Sequence, residues 1–415
     1  MQDVVVVGAG PTGLWLAGEL RLGGASVTVL ESRQERDPNS KALTIHPRTL
    51  EVFDSRGVVA PFLEEGIRIP DGHFAGLPAR LDFSALDTPY PFTLVLVQAR
   101  TEELLEARAE RMGVTIRRGR EVTGLTEDGV VLSDGEVVEA RYVVGCDGTR
   151  STVRTAACID FPGTGPTTWG WLGDVVLDDP PARGFANVTG PDGGLMVVPL
   201  PGGRHRLVGG DPTANRSDRP GDLTLDELRT TVRRIAGTDF GMRDPVWLSR
   251  FSNATRQAAT YRKGNVLLAG DAAHMHFPTG GVGMNVGIQD AHNLGWKLAA
   301  VVTGRADDSL LDTYHRERHP VGAELLEHTR AQTALMTTFS PEGQALRAVL
   351  SQLISTAPDM SKVLAERLSG LGVTYETGRR VGGLRLFERL RTGEHVETEE
   401  GLLRPDGHLA APAPK

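Results

Sequence analysis

The 415-residue sequence predicts an α/β protein: a parallel-sheet domain assembled from several stretches of chain, an antiparallel sheet inserted into it, and a helical C-terminal region. Three observations carry that prediction. β-branched runs closing on glycine turns recur near residues 4–13, 142–148 and 265–271; residues 169–254 switch to short strand-like runs between Gly, Pro and Asp clusters; and helix-like sequence dominates from about residue 330. The length fits two or three structural units, and 40% hydrophobic with 24% charged residues is an ordinary globular composition rather than a disordered or fibrous one. With 45 Lys and Arg against 53 Asp and Glu, the formal charge of −8 has the wrong sign for a general binder of nucleic acid or of an anionic membrane. Two cysteines, Cys146 and Cys158, make neither a disulfide framework nor a zinc site, which points to a reducing cytosolic compartment. Met1-Gln2-Asp3 leads straight into four valines with no basic signal segment, and no apolar run approaches the roughly 20 residues of a membrane helix. The closing Ala-Pro-Ala-Pro-Lys is expected to fray.

Val4 to Val7 suits a strand buried on both faces, and the turn Gly8-Ala9-Gly10-Pro11-Thr12-Gly13 follows at once. Thr12 to Leu22 then has the spacing of a buried helix. Ser26 to Leu30 is a second strand ending on Glu31, 18 residues after Gly13. A lone Gly-x-Gly-x-x-Gly could be only a tight turn; with strand, helix, strand and acid in register it becomes an ADP site. Glycines let backbone approach a pyrophosphate, the helix N-terminus supplies N–H donors, and the acid accepts ribose hydroxyls. At this level the dinucleotide is either FAD or a nicotinamide.

Two further segments follow, although an Asp-Gly after a strand is by itself usually just a turn. Tyr142 to Gly145 reads as a strand leading to Cys146-Asp147-Gly148-Thr149-Arg150, and Asn265 to Ala269 as one closing on Gly270-Asp271-Ala272-Ala273-His274. Pro278-Thr279-Gly280-Gly281-Val282-Gly283-Met284-Asn285 then opens a helix carrying Asp290, Asn293, Leu294, Trp296 and Lys297. A carboxylate at a strand end can hold ribitol hydroxyls, and a helix N-terminus can face a partly negative ring edge such as that of a reduced flavin.

Together these three segments resemble the fingerprints of the FAD-dependent aromatic hydroxylases with the para-hydroxybenzoate hydroxylase fold, and within them the phenol and polyketide hydroxylases of antibiotic pathways. The resemblance implies that Gly8, Gly10, Pro11, Thr12, Gly13, Glu31, Ser32 and Arg33 hold the ADP part, that Asp271 holds the ribitol, and that Pro278, Gly280, Gly281, Gly283, Met284 and Asn285 lie along the flavin. Asp147-Gly148 resembles a motif tied to both FAD and NADPH. Lys41, Arg48 and Gln98 fall where the family touches FAD, although Lys41 stands where an arginine is usual. Cys158 replaces a common glycine, and Tyr314, Glu317, Arg318 and Pro320 match a long structural helix.

The implied domains are a discontinuous Rossmann-like FAD-binding domain (1–72, 96–168 and 255–340), a substrate domain (73–95 and 169–254) and C-terminal helices with a shortened thioredoxin-like remnant (341–415). In the middle part, Trp169 to Leu177, Phe185 to Thr189, Gly194 to Pro199 and Arg204 to Gly210 read as antiparallel strands, and Thr224 to Gly237 as an amphipathic helix. Trp169 and Trp171 share one strand face and are expected in the core or on the substrate wall; the same wall is expected to carry Met196 and Val198. The Trp-x-Trp pair lacks the Ile-Pro that follows it in flavin halogenases. His73, His205 and His276 are unassigned. The remnant lacks a Cys-x-x-Cys pair, is too short for a core of its own, and should lie against the main body or stay partly mobile.

The function implied is that of an external monooxygenase. It would use FAD, a transient NADPH or NADH and O₂ to insert one oxygen into an aromatic or polycyclic, polyketide-like small molecule through a flavin C4a-hydroperoxide. Baeyer–Villiger insertion at a polycyclic ketone and a non-catalytic FAD- or aromatic-binding descendant stay open. Neither a protein base nor a metal is nominated.

Overall fold

A computed structural model describes residues 1–182 and 184–410; the Ala-Pro-Ala-Pro-Lys end lies outside the described residues. The chain opens with β1 (Gln2–Val7), α1 (Pro11–Leu22), β2 (Val27–Glu31) and α2 (Pro47–Asp54), and continues through α3 (Gln98–Arg111), β3 (Thr115–Arg118) and β4 (Val137–Gly145). The middle part holds β5 (Trp169–Leu177), β6 (Ala186–Gly190), β7 (Gly193–Leu200), β8 (Arg204–Gly210), α4 (Leu225–Ala236) and β9 (Met242–Ser252). After it come β10 (Val266–Leu268) and four helices: α5 (Gly283–Val302), α6 (Asp312–Met336), α7 (Pro341–Thr356) and α8 (Pro358–Ser369). A small hairpin, β11 (Val396–Thr398) and β12 (Gly401–Leu403), ends the described chain.

The parallel part of the main sheet runs in the order β10-β4-β1-β2-β3; Arg262–Lys263 adds antiparallel to β10, and a meander of Val122–Thr126 and Gly129–Leu132 adds antiparallel to β4. Val5 pairs with Val143 on one side and Thr28 on the other, and Val144 pairs with Leu267. Val4 to Val6 have no exposed surface because both faces of the sheet are covered there, which is why the sequence is an unbroken apolar run. Each buried valine contributes about 1.5–3 kcal/mol relative to an exposed one. In this order β10, β4 and β1 are neighbours, so their carboxyl ends place Gly270-Asp271, Cys146-Asp147 and Gly8 on one edge.

The middle sheet is antiparallel, in the order β6-β7-β8-β5-β9. The chain enters α4 through Thr224, whose hydroxyl accepts the Glu227 N–H at 3.2 Å, and leaves at Gly237 with φ 76°. One face of the sheet buries Trp171, Val175, Leu177, Leu195, Val197 and Leu207 against Leu228 and Val232 of α4. The eleven-residue β9 has no counterpart in the sequence reading. Asp244 and Pro245 break its apolar pattern, and it tolerates them as an edge strand whose outer side needs no ladder partner.

One region departs from the expected domains, and the tail takes the first of its two expected places, against the main body. Residues 73–95 do not pack as part of the middle sheet. Phe74, Leu77, Leu81, Phe83 and Leu86 share a core with Leu335, Ile354, Ala365 and Leu368 of the C-terminal helices, while Thr93–Val95 pairs with Thr44–Ile45 and Ile67–Ile69. The shortened tail is firmly seated: Phe387, Leu390, Val396 and Leu403 enter the core of the main sheet. Arg404 donates to both Glu317 oxygens at 2.7 and 2.8 Å, Asn293 and Trp296 donate to Asp406, and Arg56 donates to the Leu390 and Pro405 carbonyls. The tail makes no core of its own because it completes that of its host.

Candidate active site

The glycine turn is backbone packed on backbone. A Cβ on Gly13 would stand 2.0 Å from the Gly8 carbonyl oxygen, and one on Gly8, at φ 106°, would stand 2.4 Å from that of Cys146. Gly10, by contrast, has nothing within 4 Å of its missing Cβ and caps α1, so the helix amides open onto free space there. Pro11 occupies the first helical position, where an N–H has no partner to lose. Glu31 accepts the Ala9 N–H at 2.9 Å and the Arg33 N–H at 3.0 Å, which fixes the turn while leaving the carboxylate partly exposed. Ser32 and Arg33 are exposed beside it, and Arg33 pairs with Asp37.

At the end of β4, Asp147 accepts the Val153 N–H through Oδ2, while Oδ1 is buried without a partner and burial raises the carboxyl's pKa. Gly148 follows at φ 81°. At the end of β10, Asp271 is exposed, with Oδ1 3.9 Å from where a Cβ on Gly283 would stand. Gly280 and Gly281 take φ of 69° and 64° in succession, and this left-handed pair turns the chain from Pro278 and Thr279 into α5. The Thr279 hydroxyl is buried and unpartnered, and Met284 packs partly against the main core. Open Gly10, orphaned Asp147 and Thr279 oxygens, exposed Asp271 and two helix N-termini on one edge form a donor and acceptor set that fits an extended dinucleotide ending in a flavin ring.

Several residues expected to touch the cofactor are committed elsewhere. The Asn285 amide accepts the His46 N–H at 2.8 Å and donates to the Thr44 and Gly281 carbonyls at 3.0 Å each, so it ties the flavin loop to residues 44–46. Arg48 turns away, to Glu51 at 2.9 Å and the Asp406 carbonyl at 2.6 Å. Gln98 is held by the Ala42 N–H and Glu102. The Thr12 hydroxyl is wedged between α1 and α5, 2.4 Å from where a Cβ on Gly287 would lie. These four side chains have neighbours within the protein that local spacing does not show. Lys41 is exposed, and its carbonyl accepts from Arg206 at 3.4 Å.

Other contributors lacked a local signal. His46 Nε2 donates to the Gly280 carbonyl at 2.8 Å, and burial pushes its pKa down to about 4, so the ring is neutral. Beneath the loop, Asp290 accepts from the Gly270 N–H, from His274 Nε2 at 2.7 Å and from Arg318 Nε at 2.7 Å. Arg318 and His274 hold that carboxyl ionised against the raising effect of burial. His276 donates Nδ1–H to the Phe277 carbonyl at 2.7 Å, which leaves Nε2 as an acceptor beside Gly283. His205 is buried in the middle sheet.

The middle sheet shows two different faces. Trp171, 3% exposed, lies in the core under α4, while Trp169, on the same strand face, is half-buried and outside that core. Met196 and Val198 alternate with the buried Leu195 and Val197 and point the other way, opposite Val208 and Arg206. On that side Arg206 is bound by both Asp174 oxygens at 2.7 Å, and Phe251 meets Phe277 of the flavin loop at 5.1 Å. Next to Asp147-Gly148 lies a separate cavity of about 600 Å³ lined by Thr149, Arg150, Arg154, Phe161, Arg256 and Met275. Arg154 is occupied by the Ala272 and Thr149 carbonyls; Arg256 donates Nη1 to the Phe161 carbonyl and, among the described residues, its other donors and those of Arg150 have no side-chain partner.

A family model described as an FAD-binding domain matches residues 1–329. A rifampicin monooxygenase of Streptomyces venezuelae is 43% identical over 457 aligned positions, covering 99% of this chain and 95% of that protein. A 12-dehydrotetracycline 5-monooxygenase/anhydrotetracycline 6-monooxygenase of Streptomyces rimosus is 42% identical, covering 92% of this chain and 80% of its own. The structure of an anhydrotetracycline hydroxylase from Streptomyces rimosus superposes with a TM-score of 0.89 at 37% identity, over 99% of this chain and 95% of that one. The chain belongs to the family of FAD-dependent aromatic monooxygenases that share the para-hydroxybenzoate hydroxylase fold.

Proposed function

We propose that this enzyme hydroxylates a polycyclic aromatic, polyketide-type molecule held between the Met196/Val198 face of the middle sheet and the Pro278–Gly283 loop. The observation that carries the reading is the placement of that apolar sheet face opposite a loop fitted to a flavin ring. On that face Arg206 is already neutralised by Asp174, and Arg204 shares the face two residues away. The similarity to tetracycline and rifampicin monooxygenases supports a large fused-ring acceptor.

Bound FAD, once reduced, supplies the activation of O₂, and the protein supplies orientation and a dry site. Gly8, Gly10, Gly13 and Glu31 would hold its ADP part. Asp147 and Asp271 would take ribitol or phosphate-side donors, and the α5 amides would face the ring edge. His46 and Asn285 keep that loop rigid, and the Phe251–Phe277 contact closes one side against water. The reductant is a visiting NADPH or NADH, for which Arg150 and Arg256 at the second cavity offer phosphate-binding donors. Free Cys146 and Cys158 fit a cytosolic enzyme.

The test is the absorbance spectrum of the purified protein and its anaerobic bleaching by NADPH, with and without anhydrotetracycline or 1-naphthol. Yellow protein whose bleaching the polycyclic phenol accelerates is expected. Bound flavin that no nicotinamide reduces under either ligand would sink the reading, and Asp271→Ala protein that still holds full FAD would count against the site.

A further inference from the structure

Arg347 is 5% exposed in the middle of α7, and among the described residues it has no carboxylate at ion-pair distance. Its donors go to three main-chain carbonyls. Nη1 donates to Leu335 at 2.8 Å and Ala75 at 3.1 Å, and Nη2 donates to Gly76 at 3.2 Å. A buried guanidinium without a counter-ion is costly, so its geometry calls for a reason.

The reason lies in the turn that it grips. Ala75 and Gly76 both adopt left-handed backbone, with φ of 51° and 59°. That conformation suits glycine but strains an alanine, and Ala75 is fully buried. Besides the local Leu77 N–H to Phe74 carbonyl bond and the Gly76 N–H to His73 Nδ1 bond, the turn is anchored by side chains from three other parts of the molecule. Gln332 of α6 accepts the Ala75 N–H at 3.0 Å, Arg347 of α7 takes both carbonyls, and Asn187 of β6 donates to the Gly76 carbonyl at 3.0 Å. The Gln332 amide also reaches the flavin loop, with Nε2 3.9 Å from where a Cβ on Gly280 would stand. The turn therefore links Gln332, beside the flavin loop, to Asn187 on the edge strand of the middle sheet.

We propose that Arg347 is a positioning residue for the acceptor site: by holding the strained turn at Ala75–Gly76 it sets the wall against which the aromatic substrate is registered over the flavin loop. The inference rests on the functional reading above, since it needs the acceptor between that sheet and the loop. It also makes the C-terminal helices part of substrate selection.

The experiment uses the full-length holoenzyme with anhydrotetracycline and 1-naphthol as acceptors. In Arg347→Met the acceptor KM should rise roughly tenfold while bound FAD is unchanged and kcat stays within about twofold. Ala75→Gly, which removes the strain, should bring the KM of the double variant back to within about threefold of wild type. Hydrogen exchange of the 72–81 peptide, read without any acceptor, should be faster in Arg347→Met and in the milder Arg347→Lys. An unchanged KM, or a raised KM that Ala75→Gly does not restore, overturns the proposal. If Arg347→Met does not fold, Arg347→Lys decides through the exchange measurement, where wild-type protection overturns it. Wild-type enzyme that neither acceptor stimulates would instead refute the functional reading, and the exchange arm still reports on the turn.

Discussion

The glycine turn at 8–13 and the Arg404–His408 loop of the tail join the same core by opposite means. The first works because side chains are missing: Gly8 and Gly13 let one carbonyl-bearing backbone lie on another. The second works because long charged side chains are present and matched, with Arg404 on Glu317 and Asp406, and Arg48 and Arg56 on tail carbonyls. A site made of backbone is specified by neighbours in sequence. A site made of long charged side chains is specified by partners that stand 87 or 358 positions apart.

The sharpest way to break the first region is Gly13→Ala, which puts a methyl 2.0 Å from the Gly8 oxygen. It should abolish FAD retention, read as loss of flavin absorbance in the purified protein, because no flexible neighbour can yield. The matching break in the tail is Arg404→Met. It leaves Glu317 and Asp406 buried beside fewer cations and should cost about 3–5 kcal/mol in urea unfolding. Adding Glu317→Gln should return part of that loss; no recovery would mean that packing, not charge, holds the tail.

His46 stands between the two regions, since it caps the α2 helix that grips the tail and donates to the flavin loop. Its pKa is about 4 folded against 6.5 in the unfolded chain, so between those values only the unfolded chain is protonated. This part of the stability is complete above pH 6.5 and is lost as pH falls toward 4. About 2 kcal/mol should go between pH 7 and pH 5. His46→Gln should flatten that slope by the same amount when urea midpoints at the two pH values are compared. The smallest effect is expected at the second cavity, where Arg256→Ala should raise the KM for NADPH about tenfold, or ~1.4 kcal/mol, with acceptor KM unmoved.

The strand, glycine turn and helix at 4–22, the acid at Glu31 and the Asp147 and Asp271 strand ends could be read locally because each depends on bonds within a few residues. The parallel pairing of β1, β4 and β10 that brings them to one edge is the long-range step, and it follows from buried valine runs. Side-chain direction was not readable in the same way. Arg48, Gln98, Thr12 and Asn285 have the right spacing for cofactor contacts but are held by the protein itself. Trp171 was assignable to a strand face, yet only the position of α4 shows that this face is the core.

Order along the chain, the buried strands and the turns that need glycine are properties of short stretches, and for those the amino-acid sequence suffices. Where the tail docks, which sheet face meets the flavin loop and why Arg347 is buried without a counter-ion depend on groups hundreds of residues apart. Such contacts exist only once the chain has closed on itself, since each is favourable only when its partners are already dehydrated and in place.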